Sequence, residues 1–420
     1  MTEAAEDLSG IRERVRSVYE RHPYPPPTDD IEAYTRGEAW LLESPNPNFH
    51  HYWPYRVPTD DLDILIAGCG TRQVAEIAAG LPNARIVATD IAGNSLAQTA
   101  RLLARIGRTN VRLEQLPVEQ TQALGQHFDL VISTGVLHHL ADPDAGLRAL
   151  TAVLRPEGSM YLMLYGRYGR TGVYLLQELF RTLGVDPETV RGSDFQALRD
   201  LITALPPTHP FAAAHDRYPD WQSDEGLVDL LLHVRDRPYT LPEVQSFLAG
   251  AGLKMQKLLF RARYDPRYTP LGAAGLAGWL DRLDEPARLA AGELFRASIR
   301  KHDIIACHAA RPATTYEIAL DPPGWDRLTP ILAFGITAAR PTPARPTFRL
   351  TWPPHDEDGI YVDIEPDLIP LVESFNGLRT VREAIAAAAI GGPANRTETR
   401  IHQMLGHMAD ADLLTFRMRG

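Results

Sequence analysis

The stretch Asp63-Ile64-Leu65-Ile66-Ala67-Gly68-Cys69-Gly70-Thr71 decides how this chain folds. Asp63–Ala67 is apolar on both faces, the pattern of a strand in the middle of a parallel sheet. It ends in Gly68-x-Gly70 and gives way to a helical run through Val74, Ile77 and Ala78. Moving outward, the unit repeats. Arg85–Asp90 reads as a second strand, and Ser95 with Gln98 reads as a capping box before a helix over Leu96–Ile106. Further strands are predicted at Val111–Leu113, Leu130–Ser133, Met160–Leu164, Leu253–Phe260 and His302–Ala309, with helical segments between the earlier ones. Such alternation means a doubly wound α/β sheet.

Two glycines at a strand end let a ligand approach the backbone, and an acid closing the next strand suits a pair of ribose hydroxyls. Asp90 stands there, 22 residues after Gly68. A dinucleotide cofactor would want a third glycine at position 73, where Gln73 stands. Residues alone therefore leave two nucleotide-type ligands open, and a plain tight turn beside them.

Five segments in order resemble class I S-adenosylmethionine-dependent methyltransferases. They are Ile64–Thr71, Ala88-Thr89-Asp90, Phe128–Ser133, Gly135-Val136-Leu137-His138-His139-Leu140, and Leu154-Arg155-Pro156-Glu157-Gly158. The lead-in Val18-Tyr19-Glu20-x-x-Pro23-Tyr24-Pro25 is also similar to bacterial methyltransferases often fused to helical repeats, as are Trp53–Arg56 and Leu232–Thr240. The resemblance implies a Rossmann-like sheet and S-adenosyl-L-methionine as cofactor. It places Gly68, Cys69, Gly70 and Thr71 beside the methionine moiety, Asp90 and Ile91 at the ribose, and Pro117 and Val118 at the adenine edge. Ser133, Thr134 and Gly135 would line the floor near the sulfonium. The chain departs from the family where Ile66 replaces an acid, Arg72 a glycine, and Pro117 the acid that meets the adenine amine. Those departures motivate a non-catalytic binding scaffold as an alternative, and a nicotinamide-dependent oxidoreductase is another.

His138 is the expected catalytic base, because imidazole is the side chain suited to proton transfer near neutrality; His139 reads as a packing residue at the helix start. Tyr19, Tyr24, Tyr52, Trp53 and Arg56 are read as capping cofactor and substrate, with Arg56 on the cofactor carboxylate. Residues 167–238 are helical and aromatic-rich and sit past a strand end, so they read as a lid. Tyr165, Tyr218 and Trp221 would then be pocket walls. No spaced ligand set points to a metal.

The chain has 420 residues, enough for two or three domains. The expected organisation is an N-terminal cap over 1–60, a methyltransferase domain over 61–310, a proline-rich connector over 311–347, and a small α+β domain over 348–420. In that last domain Thr380 and Glu383 cap a helix, and Leu414–Met418 could pair as a strand. It resembles the winged-helix modules that bind leader peptides in peptide-modifying enzymes, which implies a peptide-modifying methyltransferase as one reading and a dimerisation or bracing module as another. With 43 basic against 53 acidic residues and a net charge of -10, a general nucleic-acid binder is disfavoured. Two cysteines exclude a disulfide framework. The apolar runs fall short of the ~20 residues a membrane helix needs, and the start has no apolar signal core. The expectation is a cytoplasmic enzyme, with a homodimer allowed, that methylates an N or O nucleophile of a small molecule or peptide.

Overall fold

The structure is a computed structural model and describes residues 8–28, 30–39, 41–268, 277–320, 324–333, 335–352, 359–390 and 394–418. The acidic start up to residue 7, and Pro322 and Pro323 of the connector, lie outside the described residues. The chain divides into two compact units: Met1–Pro47, Asp60–Met255 and Ser298–Ala309 make the first, and Asn48–Thr59, Gln256–Ala297 and Ala310–Gly420 the second.

The first unit is built on β1 (Asp63–Ala67), β2 (Arg85–Asp90), β3 (Val111–Gln115), β4 (Phe128–Thr134), β5 (Leu154–Tyr165) and β7 (Lys301–His308), with the first half of β6 (Leu253–Leu258). Their order in the seven-stranded sheet is β3-β2-β1-β4-β5-β7-β6. β1 pairs in parallel with β2 on one side and β4 on the other, while β7 runs antiparallel to β5. Ile64, Leu65, Ile66, Leu130, Val131 and Ile132 are fully buried in its centre. Burial on both faces explains why these strands read as continuous apolar runs rather than alternating ones. The chain leaves β1 toward β2 and returns on the opposite side at β4, which opens a crevice beyond their carboxyl ends.

Two local features differ from expectation, each for a physical reason. β5 begins at Leu154, and the predicted turn Arg155–Gly158 is taken up as an irregularity, since Phe128 pairs with Leu154 but Leu130 with Ser159. Arg155 pins it by ion pairs to Asp129 at 2.5 Å and Asp63 at 2.6 Å. The second is the helix after β2, which starts at Gly93 and runs to Arg105, so Ser95 lies buried inside it rather than capping it. The first-turn amides are capped from a distant helix, Leu8–Arg21. Glu20 accepts from Gly93 N at 2.7 Å and from Asn94 N at 3.0 Å. A carboxylate there satisfies orphan donors and complements the helix dipole.

Between β5 and the helix Leu241–Gly250, the chain is helical, with helices at Thr171–Thr182, Ser193–Thr203 and Asp224–Leu231. Val173, Leu176, Phe180, Phe195, Leu198, Phe211, Tyr218 and Leu227 form its own apolar core, which Val18 joins. In the second unit, Leu328–Leu332 pairs antiparallel with Leu414–Met418, the strand expected at the end of the chain. A three-stranded sheet runs through Thr337–Ala339, Phe348–Thr351 and Val362–Ile364. Helix Val381–Ala388 carries the expected capping box of Thr380 and Glu383.

Candidate active site

At the carboxyl ends of β1, β2 and β4 the backbone is bare. Gly68, Gly70 and Gly135 line a cavity and all adopt positive φ, +75°, +58° and +73°. A Cβ at Gly68 would meet Val136 Cγ2 at 2.3 Å, and one at Gly70 the Tyr24 carbonyl oxygen at 2.9 Å. Only glycine fits both the conformation and the space. Asp90 closes β2 and orders this loop. Its Oδ2 accepts from Gly70 N and its Oδ1 from Ala92 N, both at 2.9 Å. Burial raises the Asp90 carboxyl above its usual range, opposed by these amides. Thr71 turns away to donate to Pro25 O at 2.7 Å, and burial pushes the Cys69 thiol well up, which makes it a poor nucleophile.

Beside the loop, Ile91, Leu116, Pro117 and Val118 give the cavity an apolar flank. Bare backbone, a strand-end carboxylate and an apolar slot together fit an adenosyl group with a flexible polar tail. Gln73 opens the helix after β1 on the cavity wall, donating to Thr134 Oγ1 at 3.0 Å and to Glu43.

The opposite wall is made of side chains. Tyr19, Tyr24, His139, Met163, Tyr165 and Asp229 line it. Asp229, 5% exposed, sits in helix Asp224–Leu231 and accepts from Tyr19 Oη at 2.9 Å. Burial raises its pKa, although the nearby His139 and the Tyr19 hydrogen bond act the other way. Burial, then the Asp229 charge, pushes the Tyr19 phenol far up, so it stays a neutral donor. Tyr24 donates to Asp220 at 2.7 Å. Arg170 lies 3.6 Å over the Tyr165 ring and pairs with Asp236 at 3.0 Å.

The sequence-predicted residues divide accordingly. Gly68, Cys69, Gly70, Asp90, Ile91, Pro117, Val118, Thr134, Gly135, Tyr19, Tyr24 and Tyr165 line the cavity. Ser133 is buried in β4, and Thr71 faces Pro25; neither is among the lining residues. His138 is 0% exposed and also outside the lining, with Tyr165 N donating to its Nδ1 at 3.4 Å. Burial drives its pKa far down. Tyr218 and Trp221 pack in or against the helical core, and Tyr52, Trp53 and Arg56 belong to the second unit, Arg56 lying over the Trp53 ring at 4.9 Å. Among the residues not foreseen on the wall are Asp229, Gln73 and Met163, and His139, read as a packing residue at the helix start, lines it too. The available signal for Asp229 was a lone acid in the apolar run Leu227–Leu232.

Residues 65–160 match the family described as methyltransferase domain. An uncharacterised protein of Synechococcus is 27% identical over 61% of this chain and 62% of its own length. A ubiquinone biosynthesis O-methyltransferase of Dinoroseobacter shibae is 35% identical over 28% of this chain and 43% of its own. The chain thus spans less than two thirds of these relatives. Among solved structures, PKMT2 from Rickettsia typhi in complex with AdoHcy aligns with a TM-score of 0.64 at 15% identity, covering 94% of this chain and 77% of that one. The sheet, the strand-end glycines with Asp90, and this match agree: residues 65–160 of the first unit form a methyltransferase domain on a Rossmann-like sheet.

Proposed function

We propose that the protein is a methyltransferase whose acceptor is an amine, on a small molecule or a peptide side chain. One observation carries this: the buried Asp229 carboxylate on a cavity wall that Tyr19, Tyr24 and Tyr165 share. A carboxylate out of water needs a cationic or hydrogen-bonding partner, and aromatic rings attract an ammonium by their π-faces. A phenol or carboxylic acid acceptor would be repelled by Asp229 once ionised to its nucleophilic form, whereas an ammonium is attracted.

Gly68, Gly70, Gly135, Asp90 and Pro117 are the residues that would hold the cofactor, with Asp90 accepting from the sugar hydroxyls. When bound, the cofactor supplies an electrophilic methyl: the acceptor lone pair forms the new bond to carbon while the carbon–sulfur bond breaks, leaving a neutral thioether. The protein's own contribution is to position the two reactants and exclude water, an effect on the order of 7–11 kcal/mol in favourable cases. Asp229 and the tyrosines orient the amine.

The test is transfer of isotopic methyl from the cofactor to a panel of L-lysine, spermidine, ethanolamine, catechol and benzoate. Label on the amines is expected; label confined to catechol or benzoate overturns the amine reading.

A further inference from the structure

We infer that His139 is the proton acceptor of the reaction, its Nε2 taking the proton that a protonated amine must lose before it can attack. This rests on the amine reading above. The assignment comes from the backbone of one residue, Arg235. The Arg235 carbonyl lies 2.7 Å from His139 Nδ1, and the Arg235 N–H donates to His233 Nδ1 at 3.1 Å. A carbonyl can be met only by an N–H, so neutral His139 carries its hydrogen on Nδ1 and its lone pair on Nε2. An N–H can be met only by a lone pair, so neutral His233 carries its hydrogen on Nε2. That hydrogen points to Tyr19 Oη at 3.1 Å, and Tyr19 in turn donates to Asp229 at 2.9 Å. The two imidazoles are stacked at 3.6 Å, yet the backbone holds them in opposite tautomers.

His139 Nε2 is buried and has no hydrogen-bond partner among the described residues, and His139 lines the cavity. Buried polar atoms are rarely left unpaired without a functional reason. His138 Nε2 is likewise buried without a partner among the described residues, but His138 lies outside the cavity lining. Its Nδ1 accepts from Tyr165 N–H, so its neutral ring bears the hydrogen on Nε2 and offers no lone pair. The His233–Tyr19–Asp229 row has all its hydrogens committed toward the carboxylate, which suits holding the ammonium.

The groups around His139 are His138, Tyr165, His233, Asp229 and Asp236. His139, Asp229 and His233 each place a nitrogen or carboxylate oxygen within 4.8 Å of the other two, so an imidazolium would form beside a carboxylate. Arg170 is tied to Asp236 at 3.0 Å. The near-parallel stack, 23° between planes, keeps the in-plane lone pairs of His139 and His233 from converging on a shared metal ion. In the step itself the N–H bond of the ammonium breaks, Nε2 gains the proton, and the freed lone pair attacks. The proton leaves for solvent after the methylated product departs.

Two measurements test this. Long-range proton–nitrogen spectra of the full chain labelled at histidine and bound to S-adenosylhomocysteine should show His139 as the Nδ1–H tautomer; the Nε2–H tautomer overturns the assignment. For H139Q, rates with ethanolamine at pH 7 should fall roughly 10²–10⁴-fold. The deficit should shrink about tenfold per pH unit toward the free-amine pKa near ~10. S-adenosylhomocysteine affinity should stay within a few-fold. A ratio of wild type to H139Q that does not change with pH, or a pH-dependent deficit in D229N but not in H139Q, overturns the proposal. Methylation of catechol and of no amine sinks the acceptor reading instead, and the same ratio taken on catechol then decides the base.

Discussion

The wall formed by Gly68, Gly70, Asp90 and Gly135 and the wall formed by Tyr19, His139, Tyr165 and Asp229 line one cavity, yet they are assembled from different material. The first is backbone plus a single carboxylate, and it follows from strand ends. The sheet places β1, β2 and β4 side by side, and whatever follows each strand must arrive at the same edge. The second wall is side chains brought from four separated segments, the N-terminal helix, the turn after β4, the end of β5, and helix Asp224–Leu231 of the helical insertion. Its geometry depends on hydrogen bonds across the chain, such as Tyr19 to Asp229, that no local rule enforces. On the proposed reading, cofactor grip would sit on the sheet and acceptor choice on segments outside it.

That division can be broken by experiment. The largest effect is expected for Asp90→Ala, which removes a charged acceptor serving both loop and ligand. S-adenosylhomocysteine affinity should fall roughly 10–150-fold by calorimetry, in line with about 1.5–3 kcal/mol for a hydrogen bond to a charged group. An unchanged affinity would mean that the cofactor wall is misplaced. Asp229→Asn should instead leave that affinity near wild type and raise KM for amines about 10–100-fold, measured by steady-state methyl transfer. Loss of cofactor binding in this variant would erase the distinction between the walls.

Gly70→Ala probes the backbone wall through strain. At φ +58° with the Tyr24 carbonyl 2.9 Å from the new Cβ, it should lose about 1–3 kcal/mol of stability in denaturant titration. It should also weaken cofactor binding; neutrality would show that the loop yields easily.

The smallest effect concerns pH. Because burial raises the Asp229 pKa, its ionised form is lost as pH falls while still above the ordinary carboxylate range. The acid limb of kcat/KM for an amine should therefore begin above pH ~4. Tyr19→Phe removes a donor to that carboxylate, which should move the limb to higher pH and cost about 0.5–1.5 kcal/mol in amine binding.

Legibility in the sequence followed the same line. Gly68, Gly70 and Asp90 announced themselves through spacing after apolar strands, since a strand end and a tight turn are local events. Pro117 and Val118 reached the cavity as expected by following β3. The helix cap at Ser95 was misread because Glu20, 73 residues earlier than Gly93, supplies the acceptor instead. Tyr218 and Trp221 were aromatic enough for a pocket, but the helical insertion needs a core of its own and Tyr218 fills it, with Trp221 packed against it. His138 and His139 are neighbours in an identical local context; only the partner of each Nδ1, Tyr165 N for one and Arg235 O for the other, tells them apart.

What the sequence by itself determined is the sheet, the bare-backbone loop and the acid at its edge, because hydrophobic periodicity, glycine and a strand-end carboxylate act over a few residues. What only the tertiary structure decided is which side chains complete the cavity and which nitrogen of which histidine is left with a lone pair. Hydrogen-bond partners set tautomers and burial sets charge, and the partners that decide this wall, Arg235 for His139 and Asp229 for Tyr19, lie nearly a hundred or more positions away.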